Sequence, residues 1–209
     1  MKSKSAFISA IIAVTMLVAS PVLGVIIDSI NADETPYTSA VVNVSEIGWV
    51  YTPQFSYTLT GIQSQFSDGS GPVFPWGNVE IEVYDGVPIN GGVLLRSVTI
   101  FVEWGGFLRG GSFAPLEISA GSDYFIGFRG EPFGPVPPYE ILCNFADSGV
   151  SLPCYYGTNN DGTYPNTTDS DYRIHPILMF EGVPEPATVF LLSLGGLALL
   201  RKRHCQPLE

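Results

Sequence analysis

Alternation of apolar and polar residues is the feature that most constrains the fold of this chain. It is clearest in NVEIEV, residues 78–83, and it returns over residues 97–104 and 114–118. Successive side chains of a strand point to opposite faces of a sheet, so each stretch forms a strand with one buried face. Residues 123–128 (DYFIGF) follow a Gly-containing turn and form a further strand. The chain is therefore predicted to be built mainly from β-strands.

The apolar parity slips once along the chain. Apolar residues take odd-numbered positions up to Leu59 and even-numbered positions from Ile62 onward. A one-residue slip would turn every later side chain to the other face, so a bulge or a crossing between sheets is predicted near Thr60-Gly61. Pro115 cannot donate a ladder hydrogen bond, which places its strand toward a sheet edge.

Frequent turn signals set the fold class. The turn sequence GVPINGG at 86–92 separates two strands. The last strands are predicted at 139–143 and 174–180. Long polar loops are predicted at 67–77 and 155–171. No stretch within 33–182 keeps apolar residues at helical spacing. About eight short strands with such turns predict an all-β body over residues 33–182: a single antiparallel β-sandwich, jelly-roll-like.

The first residues have the composition of a signal peptide. Lys2 and Lys4 precede an apolar run over residues 6–19, and small residues near Gly24 offer a cleavage site. Residues 1–24 are therefore predicted to be a signal peptide, with cleavage as late as residue 32 as an alternative. The other interpretation is a retained membrane anchor.

A short apolar segment closes the chain. Residues 187–200 would form a helix of about 21 Å, whereas the hydrocarbon core of a bilayer is roughly 30 Å thick. The basic cluster Arg201, Lys202 and Arg203 follows at once and would hold that end on the cytoplasmic side. The segment is predicted to be a transmembrane helix that retains the chain temporarily, ahead of cleavage.

The end of the chain resembles the PEP-CTERM sorting signal of Gram-negative bacteria. The resemblance covers residues 183–204: Pro184, Glu185 and Pro186, then the apolar helix with its Gly-Gly pair, then the basic cluster. It implies recognition of the Pro-Glu-Pro tripeptide by an exosortase, export by the general secretion machinery, and removal of the tail. It also implies a transient stay in the inner membrane, then a place at the cell surface or in the extracellular matrix, often with exopolysaccharide. Residues 205–209 extend beyond the usual end of such signals.

The body is similar, more loosely, to the β-sandwich domains that commonly carry this signal. The similarity rests on VEIEVYDGVPINGGVLLRSVTI and LEISAGSDYFIGF, with their succession of strand, Gly-Pro turn and strand. It implies a fold and no activity, because one sandwich can host many functions.

The net charge and the cysteines of the body indicate which partners and which cross-links it can have. Residues 33–182 contain four arginines, no lysine and 17 Asp and Glu residues, a net charge of −13 that repels nucleic acid. Cys143 and Cys154 are the two cysteines of this body, and an exported chain favours a disulfide between them across a surface loop. Two free thiols or a metal pair are the alternatives.

Few residues offer catalytic chemistry. His175 is the single histidine of the body, no Gly-x-Ser-x-Gly sequence is present, and a packed or rim histidine is expected. Glu80 and Glu82 share one strand face, where an acidic solvated surface explains them more simply than a glycosidase pair. No catalytic residue and no required cofactor are predicted.

Two binding roles remain open. Loop residues Asn159, Asp161, Asp169 and Asp171 supply oxygen ligands and are weak candidates for Ca²⁺, although such clusters mostly form turns. Trp76, Tyr155 and Tyr156 could stack on sugar rings, or could pack within the fold. The leading hypothesis is a non-enzymatic, structural or adhesive surface protein. The alternatives are a polysaccharide-binding module and a carboxylate-based glycan hydrolase.

Overall fold

A computed structural model describes residues 25–34, 36–41, 46–68, 77–102, 108–130, 141–159, 161–168 and 172–184 of the 209-residue chain. These residues form strands and two short 3-10 turns, at Pro88–Asn90 and Tyr172–Ile174. The strands are β1 (Val25–Ile30), β2 (Pro36–Val41), β3 (Glu46–Tyr51), β4 (Tyr57–Asp68), β5 (Gly77–Tyr84), β6 (Leu94–Val102), β7 (Leu108–Ile118), β8 (Tyr124–Gly130), β9 (Ile141–Ala146), β10 (Cys154–Gly157), β11 (Asn166–Thr168) and β12 (Leu178–Pro184).

The strands pair into two antiparallel sheets. The first sheet has the order β1-β12-β4-β9-β2, with β7 also paired to β4, and the second has the order β11-β10-β3-β8-β5-β6. Within them, β1-β12-β4-β7 faces β3-β8-β5-β6, and the chain passes back and forth between these two sets of four. That is the strand order of two Greek keys wound into a jelly roll. The predicted all-β sandwich is confirmed.

The irregularity predicted from the parity slip is present. The register of β4 against β7 shifts between Leu59 and Gly61, and the register of β12 against β4 shifts between Glu181 and Gly182. As a result Leu59 and Ile62 both face the core, although they are three residues apart. Pro115 lies in β7, which pairs with β4 on one side only among the described strands.

Inward-facing residues of both sheets form one core. In β3, Ile47, Trp49 and Tyr51 point inward, and Trp49 meets Phe128 edge-on with ring centroids 5.5 Å apart. Trp49 also contacts Phe145 of the first sheet, at 6.0 Å. Burying one such aromatic side chain contributes roughly 1.5–3 kcal/mol, so this aromatic centre holds the two sheets together.

The sandwich takes in residues on both sides of the expected 33–182 body. β1 begins at Val25 and pairs with β12, which itself runs on to Pro184. In the part of the chain that the structure describes, no helix is long and apolar enough to cross a bilayer. The predicted signal peptide and the predicted helix at 187–200 lie outside the described residues.

Strand register places several chain segments at one end of the sandwich. Val25 pairs with Gly182, and both Pro184 and Ile118 pair with Tyr57. The opposed sheet reaches the same end through Tyr51, whose hydroxyl lies 3.1 Å from that of Tyr57. We call this end the exit end: the start of β1, the end of β12, and the turns 52–56, 85–93 and 119–123.

Candidate functional site

The recognition segment of the predicted sorting signal begins inside the last strand. Pro184 pairs with Tyr57 of β4, while Gly182 is paired on both sides, with Leu59 of β4 and with Val25 of β1. The segment therefore starts within a hydrogen-bonded strand and not on a separate linker. Glu185, Pro186 and the basic cluster Arg201, Lys202 and Arg203 lie outside the described residues.

Close packing explains the glycine at the start of this segment. A Cβ on Gly182 would collide with the carbonyl oxygen of Thr58 and would approach the Tyr57 ring to 3.1 Å and Ile27 to 3.3 Å. The strand can lie flat between β1 and β4 only because residue 182 has no side chain.

A buried hydrogen-bond chain ties β1 to the core beside this segment. The hydroxyl of Tyr51 donates to Asp28 Oδ2 over 2.5 Å, and the ring of Tyr51 stacks on Phe180 with centroids 4.1 Å apart. Burial, then the hydrogen bond to Asp28, raises the pKa of Tyr51 above its ordinary value. Burial likewise raises the pKa of Tyr57. Both phenols stay protonated at neutral pH and can donate.

A surface groove lies beside one of the predicted sugar-stacking residues. It encloses about 520 Å³ and is lined by Ser151, Leu152, Pro153, Cys154, Tyr155, Thr167, Thr168 and Ile174. Tyr155 also packs edge-on against Phe125, at 5.9 Å. The geometry brings Tyr155 into a concave, partly apolar surface of the kind that small ligands occupy.

Tyr156 is placed differently from Tyr155. The guanidinium of Arg173 lies 5.4 Å from the centroid of its ring, and the ring also packs on the main core. Arg173 is itself held in place, because its carbonyl oxygen accepts a hydrogen bond of 2.6 Å from Trp49 Nε1. One face of Tyr156 is therefore already covered by a cation. The third candidate, Trp76, lies outside the described residues.

The predicted disulfide between Cys143 and Cys154 is absent, and both residues are buried free thiols. Cys143 lies in β9 of the first sheet and Cys154 in β10 of the second, so they face one core from opposed sheets. Packed sheets stand about 10 Å apart, whereas the Cα atoms of a disulfide are about 4.4–6.8 Å apart. The sequence suggested a disulfide across a surface loop because Cys143 and Cys154 are close along the chain. That closeness does not reveal that they lie in different sheets.

The oxygen-rich loop closes on itself. Asp161 Oδ1 accepts hydrogen bonds from Thr163 N over 3.1 Å and Thr163 Oγ1 over 2.6 Å, and these bonds lower the pKa of Asp161. Asn159 is exposed, while Asp169 and Asp171 lie outside the described residues. Among the described side chains, no three of His, Cys, Asp and Glu come together as a metal-binding group. Asp161 therefore forms hydrogen bonds within a turn, as residues of such clusters mostly do.

Glu80 and Glu82 do share one face of β5, and one cation bridges them. Arg129 Nη2 lies 2.6 Å from Glu80 Oε2 and 2.9 Å from Glu82 Oε1. Glu82 is only 1% exposed, and it also accepts a hydrogen bond of 2.7 Å from the hydroxyl of Tyr164. The face carries a partly buried ion-pair network and is not the solvated acidic surface that the sequence suggested.

A fully buried carboxylate, which sequence reasoning missed, extends this network. Glu46 accepts backbone hydrogen bonds from Gly162 over 2.5 Å and from Tyr164 over 2.7 Å. Tyr164 has a positive φ of 47° and no solvent exposure, and its hydroxyl lies over Gly127. Glu46 therefore fastens residues 162–164 onto the outer face of the second sheet. The alternation of EIGWVY over 46–51 places Glu46 on the face opposite Ile47 and Trp49, but it does not show that this face is covered at Glu46.

His175 lies outside β12 and contacts a serine. Its Nε2 is 2.9 Å from Ser151 Oγ, beside the groove, and its Nδ1 is buried with no hydrogen-bond partner among the described groups. A serine nucleophile needs a histidine whose second nitrogen is held by an orienting acceptor. The pair therefore has the serine–histidine contact of a catalytic triad, but the contact between the histidine and an orienting acid is missing among the described groups.

The end of the chain is similar to a known protein-sorting motif. The PEP-CTERM protein-sorting motif matches residues 182–203. No curated protein matches the chain. No solved structure matches it either. The match begins at Gly182, the residue that pairs with both β1 and β4.

Proposed function

We propose that this chain, which carries a PEP-CTERM sorting motif, is an exported structural or adhesive protein of the cell surface or extracellular matrix. In this proposal a signal peptide directs export, the apolar tail holds the precursor transiently in the inner membrane, and an exosortase removes the tail. The sandwich reaches its final place without catalytic activity, cofactor or nucleic-acid partner.

The position of the motif relative to the fold carries the proposal. The last fully buried side chain of β12 is Phe180. The motif begins at Gly182, which is buried but has no side chain, and Val183 and Pro184 are only partly buried. Cleavage after Pro184 would remove no core side chain. A sorting signal that is discarded after use requires this, because the mature protein must stay folded without it.

The engagement of the polar side chains supports a non-enzymatic role. Glu80 and Glu82 share one arginine, Glu46 accepts two backbone hydrogen bonds, and Nδ1 of His175 has no hydrogen-bond partner among the described groups. Groups held in this way stabilise a fold. A general acid or base needs access to a substrate.

Deleting the exosortase of the native host tests the proposal. A larger, membrane-bound form should then accumulate, with the mature form lost. The Glu185→Ala variant in an intact host should behave in the same way, and Glu117→Ala, an exposed body residue, should be processed normally. An unchanged size in the deletion strain would contradict the proposal.

A second candidate function is polysaccharide binding, favoured by the groove beside Tyr155. Exopolysaccharide from the same host would be the ligand, with the Tyr155 ring as a stacking surface. Retardation in an affinity gel should be lost in Tyr155→Ala and kept in Phe101→Ala, which changes an exposed aromatic on the opposite edge strand. If Tyr155→Ala is retarded as strongly as Phe101→Ala, the groove is not the polysaccharide-binding site.

A further inference from the structure

Exposed apolar side chains concentrate at the exit end. The described residues include nine large hydrophobic side chains that are exposed. Six of them lie at this end: Val25, Ile26, Phe55, Ile89, Val93 and Leu94. Val25 and Ile26 begin β1, and Phe55 precedes β4. Ile89 and Val93 belong to the turn between β5 and β6, and Leu94 begins β6.

The same end is where both apolar terminal segments of the sequence join the fold. Val25 follows directly on residues 1–24, and only residues 185 and 186 separate Pro184 from the apolar segment at 187–200. An extended chain spans at most about 3.3–3.6 Å per residue, so the Cα atom of Pro184 lies within about 11 Å of the first residue of that segment. A precursor whose tail is inserted cannot hold its exit end far from the bilayer.

We propose that the exit end is a membrane-docking surface, through which the sandwich rests on the lipid bilayer while the tail is inserted. The six apolar side chains would enter the interfacial region, where their burial is favourable. The inference rests on the transient membrane retention in the proposed function, and it adds the orientation in which the body is held.

The charges at this end define the kind of lipid surface. Asp85 Oδ1 accepts a hydrogen bond from Val93 N, and Asp123 Oδ1 accepts one from Thr52 Oγ1, so both carboxylates are held at the exit end. Carboxylates repel anionic headgroups. Docking therefore depends on apolar contact with a zwitterionic surface and should weaken as the anionic lipid fraction rises.

A matched pair of valines makes the test. Val93 is 60% exposed at the exit end, and Val150 is 53% exposed at the opposite end, beside Asn31. The full chain with Cys205→Ser would carry Val93→Cys or Val150→Cys, labelled with an environment-sensitive fluorophore. Cys143 and Cys154 are buried, so they should not react in the folded protein.

With phosphatidylcholine vesicles, the label at position 93 should shift to the blue and be quenched several-fold more by nitroxide lipids than the label at position 150. Equal, water-like emission at both positions in a precursor that floats with the vesicles would overturn docking and leave sorting intact. A precursor that does not float would overturn both. A concentration-dependent shift without vesicles would assign the surface to a second copy of the chain and overturn the lipid assignment.

Discussion

Val25, the first residue of β1, is paired with Gly182, the first residue of the sorting motif. The two ends of the folded body therefore meet in adjacent strands. Cleavage of the predicted signal peptide after residue 24 would leave β1 complete, whereas cleavage at residue 32 would remove it. Asp28 and Asn31 would be lost with it, although both bond to distant parts of the fold.

The Asn31→Ala variant should lose about 2–3 kcal/mol of unfolding free energy, because three side-chain hydrogen bonds are lost and alanine is strained at a positive φ. Its side chain donates to Val150 O and Pro176 O and accepts from Val150 N, and its φ is +53°. Urea denaturation measures the change. Asn31→Gly tolerates the same backbone and isolates the hydrogen-bond loss. A change below about 0.5 kcal/mol, the size of an ordinary surface substitution, would show that β1 is not anchored in this way.

The network around Arg129 should be more sensitive than any surface ion pair. Arg129→Met leaves the carboxylate of Glu82 buried without its cation. Because Arg129 is itself partly exposed, the loss should be about 2–3 kcal/mol, below that of a fully buried pair. Adding Glu82→Gln should recover part of this loss, because the uncompensated charge is then removed. Urea denaturation of the two single variants and the double variant completes the cycle. Additive losses would mean that the two side chains do not interact.

Stability should fall as the solution becomes alkaline. Burial raises the pKa of Cys143 and of Cys154 to about 12, and burial also raises the pKa of Tyr164. The unfolded chain gives up these protons at lower pH than the folded chain does, so rising pH favours unfolding. The two protonated thiols contribute their full stabilisation of the folded state below about pH 8.5, the ordinary thiol pKa. That stabilisation is lost as the pH rises toward 12.

Unfolding free energies measured by urea between pH 8 and 11 should therefore decrease with pH. Cys143→Ala should flatten the slope by at most about 1.4 kcal/mol per pH unit, the value for one proton. A free energy that is constant or rising over this range would contradict the burial of these groups.

Both body cysteines should be free thiols in the folded protein. Alkylation of the non-reduced chain in denaturant should modify Cys143 and Cys154, whereas alkylation without denaturant should modify neither. Prior reduction should leave the modified mass unchanged. Protection of both residues in denaturant until a reductant is added would show that a disulfide forms across the core.

Local pattern predicted much of the sandwich. The alternation over 78–83 lies in β5, and the parity slip near Gly61 marks a real register shift, because one buried face dictates every inward position. β1 was missed because its residues continue the apolar run of the predicted signal peptide. The contacts of Glu46 and the opposed sheets of the two cysteines depend on residues distant in sequence, so no local pattern contains them.

The intact mass of the mature protein from its native host tests the central claim most directly. The account predicts a mass that lacks the signal peptide and the tail, with an N-terminus no later than Val25 and with the sandwich complete through β12. A mature protein that still contains Leu200 and Arg201 would contradict it.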